Sequence, residues 1–320
     1  YESHSLYAPE GTPGIVDQYI EDDWTDPYIW SGQRNGNHAI YSNCEEIIED
    51  DGYLTFRIVD ESIDFISRQN KPFFLLTSFN APHTPLQAPE EYVNKYQDVE
   101  DPVKRVHYAM IDALDESIGR LLDHLDATGL SENTMVILIG DNGGAEYNLT
   151  TENGQYKGGK ITQFEGGIKV PMIIRYPGHV PAGGQFDYPV ISTDVFVTAA
   201  AGAKAQLPQD RVYDGVNLIP DINNNVPAHE YLYWQGGASR SIRSEEWKLS
   251  WNGDRGDTLM FDIKNDPFEL NNVFQQQKLL AAQMFATHQK WSATLPPPLW
   301  PSLIYYEFID DDGAAYYFAN

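Results

Sequence analysis

Two short apolar runs separated by one long amphipathic segment constrain this fold more than any other feature of the sequence. The runs occupy residues 73–79 and 134–139, and both are continuous and apolar, as in strands buried on both faces. The segment between them has a helical stripe made of Ile111, Leu114, Ile118, Leu121, Leu122 and Leu125. Strand, long helix, strand predicts a right-handed crossover that joins parallel strands. We therefore expect an α/β fold with a mostly parallel sheet flanked by helices.

The pattern changes after residue 226. Four short, turn-separated runs there are typical of an antiparallel meander, and they occupy residues 230–234, 239–243, 247–251 and 258–262. A helix is predicted at residues 276–291, and the tail that begins at Pro296 is predicted to be extended and to wrap the surface. We therefore divide the chain into an α/β domain, residues 1–226, and a smaller C-terminal domain, residues 227–320, with an antiparallel sheet, a helix and this tail.

The charge of the chain excludes some classes of partner. The 21 Lys and Arg against 47 Asp and Glu give a net charge of −26, which repels nucleic acid and phosphate-rich membranes. No run approaches the roughly 18 apolar residues of a membrane span. A single cysteine, Cys44, leaves no intramolecular disulfide and no cysteine-built zinc site. We expect neither a nucleic-acid nor a membrane partner.

Asp141 and Asn142 follow the second apolar run and could bind a metal ion. Ligands of open α/β sheets bind beyond the carboxyl ends of the strands, and carboxylate and amide oxygens suit Ca²⁺ or Mg²⁺. The alternative is a tight turn, since Asn142-Gly143 is a strong turn dipeptide. Calcium takes about 6–8 oxygen ligands, so two donors need help from elsewhere. The acidic run at residues 310–312 could contribute further ligands, but such runs more typically lie solvated on the surface.

His83 follows the first apolar run, where an imidazole could contact an anion or protonate a leaving oxygen. The alternative role is a local hydrogen bond.

Residues 154–161 nearly form a phosphate-binding loop, but Ile161 stands where the Mg²⁺-binding hydroxyl is required, which disfavours nucleotide hydrolysis. The same region concentrates positive charge, which in a chain of this acidity is either an anion-receiving patch or a solvated face. Its four cations, set against the single acid Glu165, are Lys157, Lys160, Lys169 and Arg175. A second, weaker cluster consists of Arg240, Arg243 and Lys248.

Taken together, and in the order in which they occur along the chain, these segments resemble the formylglycine-dependent sulfatases. The likeness is greatest to the arylsulfatase B-like branch, which includes N-acetylgalactosamine-4-sulfatase and bacterial polysaccharide sulfatases. Residues 73–86, with Ala81-Pro82-His83-Thr84-Pro85, are similar to the strand and histidine loop of the family. Asp141-Asn142-Gly143-Gly144 is similar to its calcium motif, and residues 159–171 to its sulfate-contacting lysine motif. Residues 214–218 and 260–270 are similar to its hinge and C-terminal signatures.

This resemblance implies an alkaline-phosphatase-like fold and a sulfuric ester hydrolase that removes sulfate from a sulfated sugar or polysaccharide. It implies that Asp141 and Asn142 ligate Ca²⁺, with Mg²⁺ as a second possibility. Lys160 would hold the sulfate, and His83 would contact the sulfate or the bridging oxygen. The cationic patch adds Lys157 as a third candidate for binding substrate. His83 and Lys160 would thus be the catalytic residues.

The sequence departs from the family pattern at the nucleophile, which the family places in Cys-x-Pro-x-Arg or Ser-x-Pro-x-Arg. Cys44 is followed by Glu45-Glu46-Ile47-Ile48 and does not match. We therefore expect the first quarter to third of a family member, with the formylglycine and the remaining metal ligands, to be missing before Tyr1.

Two other functions stay open at this point. A phosphatase or phosphodiesterase of the same superfold would favour paired zinc sites rich in Asp and His, against which Asn142 argues. A non-catalytic protein that binds sulfated glycans is the second. The acidity and the single cysteine favour a bacterial protein located in the periplasm or outside the cell. The oligomeric state is left open by the sequence.

Overall fold

The computed structural model of the chain describes residues 13–18, 40–43, 45–47, 52–146, 151–297, 299–300 and 305–319. Cys44 lies outside these residues. The chain forms two compact units. The first holds the described residues up to Ser131 together with Thr151, and the second holds Glu132–Glu146 and the described residues from Glu152 onward. The boundary predicted after residue 226 falls inside the second unit, where the C-terminal sheet begins.

The first unit is built around the long predicted helix. Its helices are α1 (Leu54–Ser67), α2 (Glu90–Val93) and α3 (Pro102–Ala127). Its strands form two antiparallel pairs: β1 (Ile15–Gln18) with β4 (Leu86–Pro89), and β2 (Ile40–Ser42) with β3 (Glu45–Ile47). The core joins Leu86, Ala88 and Tyr92 to the buried face of α3, which carries Val106, Ala109, Met110 and Ala113.

The ends of α3 follow from its sequence and confirm the predicted helix. The Asp101 side chain accepts hydrogen bonds from the backbone N–H groups of Val103 and Lys104, and Pro102 occupies the first turn, where its missing N–H costs nothing. Gly129 adopts φ 70° just after the helix, a conformation that glycine reaches without strain.

Residues 73–79 differ from the strand predicted there. The segment forms no ladder with any described residue, and its side chains alternate between half-buried and exposed. Phe74 and Leu76 are 70% and 74% exposed, so burial on both faces was wrong in this structure. The continuous apolar run predicted an extended backbone, but assignment to a sheet requires hydrogen bonds from a neighbouring strand.

The second unit begins with an antiparallel pair, β5 (Val136–Ile139) and β6 (Met172–Arg175). Leu138 and Ile173 lie opposite each other in this pair, and both are exposed. All strand pairings among the described residues are antiparallel, so the parallel sheet predicted from the crossover pattern is not found among them. The helices of this part are α4 (Glu165–Ile168), α5 (Thr193–Gly202) and α6 (Leu218–Asn224).

The C-terminal antiparallel meander is confirmed. Its strands are β7 (Leu232–Gly236), β8 (Ser239–Arg243), β9 (Trp247–Asn252) and β10 (Thr258–Asp262), paired in sequence order. Helix α7 (Lys278–Ser292) follows, as predicted. Its residues Ala281 and Met284 pack against the sheet core, which is made of Ile242, Leu249 and Met260.

The tail was predicted to be extended, but it forms a hairpin of β11 (Tyr305–Ile309) and β12 (Ala315–Ala319). The hairpin packs on the ring of Phe164, which is almost fully buried. Four rings surround it at centroid distances of 5.1–6.2 Å, namely Phe261, Phe308, Tyr316 and Phe318. This aromatic cluster fixes the chain just before α4. Throughout the described ranges, no helix combines the length and the apolarity that crossing a bilayer would require.

Candidate anion and metal site

Asp141 and Asn142 lie in the loop directly after β5, and both are exposed. The Asn142 backbone N–H donates to Asp141 Oδ1 at 2.9 Å. The Asn142 side-chain Nδ2 donates to the Gly143 carbonyl at 2.8 Å. That bond uses the amide nitrogen, so the amide oxygen is the atom that a cation could bind. The chain bends at these two residues, and this bend, which we call the Asp141 turn, presents two oxygen-bearing side chains.

The Lys160 loop is bonded directly to this turn. The Lys160 N–H donates to the Gly144 carbonyl, the Gly143 N–H to the Gly167 carbonyl, and the Gly166 N–H to the Lys157 carbonyl, each at 2.9 Å. Asn153 supports the junction, since its Oδ1 accepts from the Gly144 N–H at 2.8 Å. The second unit thus brings three predicted site residues, Asp141, Asn142 and Lys160, onto adjoining loops.

Five glycines make this junction possible, and we call them the glycine scaffold: Gly143, Gly158, Gly159, Gly166 and Gly167. A Cβ on Gly143 would lie 1.7 Å from the Gly166 carbonyl oxygen, and one on Gly166 would lie 1.9 Å from the Gly158 carbonyl oxygen. Real Cβ atoms do not approach backbone oxygen so closely. The loops therefore pack backbone on backbone, which explains the Gly-Gly pairs of this region.

Ile161, directly after Lys160, has φ 80°. This left-handed conformation is a genuine outlier for a β-branched residue. The turn around it is held by Thr162, whose N–H and side-chain hydroxyl both donate to the Gly159 carbonyl, at 3.0 and 2.8 Å. Backbone strain of this kind clusters at functional sites.

Lys157 does not lie open at this site. Its Nζ donates to Asp310 Oδ2 at 2.7 Å and to the Tyr316 hydroxyl at 2.8 Å. Burial lowers the pKa of Lys157, but these two partners outweigh it and hold the pKa above its ordinary value. The ammonium is committed to the β11–β12 hairpin, so the geometry supports a structural role for Lys157 instead of the predicted sulfate contact. Asp310 likewise has a partner and is not the solvated acid that was expected.

The remaining cations of the predicted patch are dispersed. The Lys169 Nζ donates to the Tyr156 hydroxyl at 2.8 Å and lies 4.6 Å from the ring centroid. Arg175 pairs with Val136, whereas Ile139, next to the Asp141 turn, pairs with Met172. Arg175 thus lies at the far end of this strand pair, about 10 Å away.

In the second predicted cluster, two of the three cations, Arg243 and Lys248, do not lie on an anion-receiving surface, and Arg240 donates to the Gly237 and Ser239 carbonyls. Arg243 and Lys248 contact the Glu165 carboxylate at 3.2 and 3.1 Å in the protein interior. A lysine within a strand run is normally expected on the solvent face, so no sequence signal pointed to this buried arrangement.

His83 lies in the first unit, and its geometry is given within that unit. Its Nδ1 lies 2.8 Å from the Thr84 carbonyl oxygen. Because a carbonyl only accepts, Nδ1 carries the hydrogen, and Nε2 is the acceptor nitrogen of the neutral ring. The local hydrogen bond that the sequence allowed is present, and it also fixes which nitrogen can exchange a proton.

The described residues fit a hard divalent cation in kind but not in number. Within the part of the chain that the structure describes, no group of three or more His, Cys, Asp or Glu side chains could hold a metal ion. Asp141 and Asn142 would supply two of the roughly 6–8 oxygen ligands that calcium takes. They can therefore form only part of such a site.

Comparison with known proteins identifies the family. A family model described as Sulfatase matches residues 13–204, and one described as N-sulphoglucosamine sulphohydrolase, C-terminal, matches residues 154–292. Rat (Rattus norvegicus) steryl-sulfatase is 33% identical over 248 residues, covering 73% of this chain and 41% of the relative. Human N-acetylgalactosamine-6-sulfatase is 36% identical over 217 residues, covering 63% and 40%.

Solved structures agree in fold. The structure described as Ps i-CgsB in complex with k-i-k-neocarrahexaose has a TM-score of 0.77 at 29% identity and covers 89% of this chain and 66% of that chain. The phosphonate monoester hydrolase of Agrobacterium radiobacter has a TM-score of 0.64 at 19% identity, covering 99% and 70%, which is a likeness of fold alone. The chain spans about 41% of the length of the steryl-sulfatase that it matches. The Sulfatase model nevertheless covers well over half of the chain, and the chain therefore belongs to the sulfatase family.

Proposed function

We propose that this chain forms part of a sulfuric ester hydrolase that removes sulfate from a sulfated sugar or polysaccharide. Family membership supports the reaction. A saccharide substrate is supported by the relative named for N-acetylgalactosamine and by the structural neighbour solved with an oligosaccharide. The steryl-sulfatase relative makes a steroid sulfate the competing substrate class.

The observation that carries this proposal is the backbone bond between Lys160 and Gly144. It joins the loop of a cationic residue to the turn that presents a carboxylate and an amide oxygen. A chain of net charge −26 can receive an anionic ester only where a local cation offsets the repulsion, and Lys160 is the cation whose loop adjoins this turn. We assign the Lys160 ammonium to the sulfate oxygens, where a fixed charge stabilises the charge that develops in the transition state.

Asp141 and Asn142 are assigned to a bound divalent cation, Ca²⁺ in the first instance and Mg²⁺ as the alternative. When bound, such an ion supplies positive charge that polarises the ester. The other ligands would come from outside the residues described here. Without the ion, Asp141 would repel the anionic substrate, so these two residues and the cation act together.

His83 is assigned to the leaving oxygen of the sugar. Its Nδ1–H is used on the Thr84 carbonyl, so Nε2 is the nitrogen that would carry and deliver the proton. The family generally uses formylglycine to supply the attacking oxygen. Cys44 lacks the matching sequence context, so no residue of this chain is assigned to that step.

We also infer that the protein works in a bacterial periplasm or outside the cell. A sulfated polysaccharide is too large to cross a membrane intact, so its desulfation takes place where the polymer is. The acidic composition supports this location. Fractionation of the source cells tests it, and recovery in the cytosol would refute it.

The test of the reaction uses the full natural protein, with its formylglycine confirmed by mass spectrometry, and measures sulfate released from a sulfated oligosaccharide. We expect turnover that a chelator abolishes and that Ca²⁺ restores. Lys160→Ala should lower kcat/KM by about 10²–10³-fold, the typical loss for one charge-stabilising group. The control is Lys264→Ala, which removes an exposed lysine paired with Glu246 in the same unit.

The outcomes separate the rival functions. Absence of sulfate release from any sulfated sugar or steroid by the modified protein would refute the proposal. Calorimetric binding of the oligosaccharide without release would identify a non-catalytic binder. Preferential hydrolysis of phosphate esters with bound zinc would identify a phosphatase instead.

A further inference from the structure

Four charged side chains meet in the interior of the second unit: Glu165, Arg243, Lys248 and Glu269. The Lys248 Nζ lies 3.1 Å from Glu165 Oε1 and 2.9 Å from Glu269 Oε1. The Arg243 Nε lies 3.2 Å from Glu165 Oε1. None of these side chains is more than 12% exposed, and those of Lys248 and Glu269 are fully buried. Burial raises the pKa of the Glu269 carboxyl, and Lys248 only partly opposes this effect.

The two cations come from the C-terminal sheet. Arg243 in β8 and Lys248 in β9 are direct partners in the strand register. Lys248 also pairs with Phe261 of β10, so it lies on a central strand whose backbone is held on both sides. The sheet therefore fixes the backbone of Lys248, and full burial and the two carboxylate contacts hold its ammonium.

Glu165 is held through both its side chain and its backbone. The Glu165 N–H, at the start of α4, donates to Glu269 Oε2 at 2.6 Å. Burial raises the pKa of Glu165, but the nearby Lys248 and Arg243 outweigh burial and hold the pKa below its ordinary value. Glu165 thus stays ionised, and the sheet fixes the first turn of α4.

The two residues after Glu165 belong to the glycine scaffold. Gly166 donates to the Lys157 carbonyl, and Gly167 accepts from the Gly143 N–H. A chain of short contacts therefore runs from Lys248 through Glu165 and α4 to the Asp141 turn, and through Gly144 to Lys160. No scaffold glycine has a side chain with which to anchor its own loop, so the backbone bonds to α4 help to locate these loops, together with Asn153 and the Lys157–Asp310 pair.

We propose that Lys248 is a positioning residue: through Glu165 it fixes the loops that carry Asp141 and Lys160. Stability alone does not require such a cluster, because well-packed apolar side chains often replace buried ion pairs without loss. An ion pair specifies orientation, which a site of two adjoining loops requires. The catalytic meaning of the coupling rests on the proposed function, but the coupling itself does not.

Hydrogen exchange read by mass spectrometry tests the coupling in the chain as it is. Lys248→Met removes the charge and keeps most of the volume. We expect amides in residues 141–146 and 157–168 to exchange at least tenfold faster, while helix α3 of the first unit is unchanged. Lys264→Met, which breaks an exposed pair adjoining the same sheet, should leave these loops unchanged. Faster exchange in strands β7 to β10 with unaltered loops would overturn the proposal.

A second variant covers the case in which Lys248→Met unfolds the unit. Lys248→Met combined with Glu269→Gln removes the buried ammonium together with the carboxyl group that it contacts, and leaves the Arg243–Glu165 pair. We expect this variant to fold, as judged by circular dichroism, and its loops to exchange faster than those of the unaltered chain. Loops that exchange at the unaltered rate would overturn the proposal, as would unfolding of both variants, since Lys248 would then stabilise the whole unit.

Binding of inorganic sulfate, measured by calorimetry, separates this inference from the proposed function. If the unaltered chain binds sulfate, Lys248→Met should weaken binding about tenfold without contacting the ion, and an unchanged Kd would contradict the positioning role. If the unaltered chain binds no sulfate, the assignment of Lys160 fails, and hydrogen exchange alone decides the coupling.

Discussion

Lys157 and Asp310, 153 positions apart in the chain, form a 2.7 Å ion pair that ties the C-terminal hairpin to the loop of the candidate site. Tyr316 completes the arrangement, since its hydroxyl bonds both Lys157 and Asp310. A segment that the sequence suggested would only wrap the surface therefore holds the loop that contains Lys160.

Breaking this pair should loosen the hairpin, which then keeps only its other contacts, above all those with the Phe164 ring. We expect Asp310→Asn to lower the free energy of unfolding by about 2 kcal/mol, the usual worth of a hydrogen bond to a charged group. Urea unfolding measures the loss, and limited proteolysis shows whether cleavage concentrates near residues 305–319. Asp312→Asn is the matched control, because Asp312 is exposed on the same turn. Equal losses in the two variants would contradict the role of the pair.

The hairpin should also loosen in acid. Burial raises the pKa of Asp310, but Lys157, the Ala314 N–H and Tyr316 outweigh it and hold the pKa below its ordinary value. The stabilisation is thus complete above about pH 4, the ordinary Asp value, and is lost as the pH falls through the lower folded-state pKa. The pKa of Lys157 is raised, so its contribution is complete below about pH 10 and is lost as the pH rises further. Proteolysis across pH should show a plateau between these limits, and Asp310→Asn should flatten the acid side.

Gly143→Ala should disrupt the candidate site. The new Cβ would lie 1.7 Å from the Gly166 carbonyl oxygen, so the two loops must separate. We expect a loss of about 2 kcal/mol in the free energy of unfolding, as for other overpacked positions. Gly119→Ala is the control with the opposite sign. It lies in α3 with nothing within 4 Å of the new Cβ, and it should stabilise the helix by up to about 1 kcal/mol. A neutral Gly143→Ala would mean that the backbone contact is not as close as the structure has it.

At position 161, the glycine variant should be more stable than the alanine variant, which is the reverse of the usual order. At φ 80°, alanine keeps the strain of a Cβ, whereas glycine removes it, so Ile161→Gly should be more stable than Ile161→Ala by about 1 kcal/mol. Guanidinium unfolding of both variants measures the difference. Ile263, buried in the same aromatic cluster without a positive φ, should show the ordinary order, with alanine the more stable. The ordinary order at Ile161 would refute the strained conformation.

Local patterns predicted the elements that depend on local sequence. One segment of sequence holds the apolar stripe of α3, its start at Asp101-Pro102 and its end at Gly129. In the C-terminal meander, each strand pairs with the strand next to it in sequence. The hairpin also had a local signal, because the aromatic runs Tyr305-Tyr306 and Tyr316-Tyr317-Phe318 lie on either side of Asp312-Gly313, but the preceding prolines favoured an extended tail. Residues 73–79 lacked such a signal, since a strand depends on a neighbour that its own sequence does not specify.

The candidate site divides in the same way. Asp141, Asn142 and Lys160 could be named from short segments, and the structure places them on adjoining loops. The roles of Lys157 and Lys248 could not, because their partners are distant in sequence: Asp310 for the first, and Glu165, 83 positions away, for the second. Composition counts cations in a stretch of sequence, but it cannot tell an ammonium that faces solvent from one that neutralises a buried acid.

The exposed pair Leu138 and Ile173 has a consequence for handling the protein. These two facing side chains form a small exposed apolar patch. Elsewhere, the net charge of −26 makes copies of the molecule repel one another. Added salt shortens the range of this repulsion, from about 30 Å at 0.01 M to about 3 Å at 1 M. It does not weaken the attraction between the apolar patches of two copies. We therefore expect the chain to remain monodisperse at low salt and to associate near 1 M salt, as measured by light scattering.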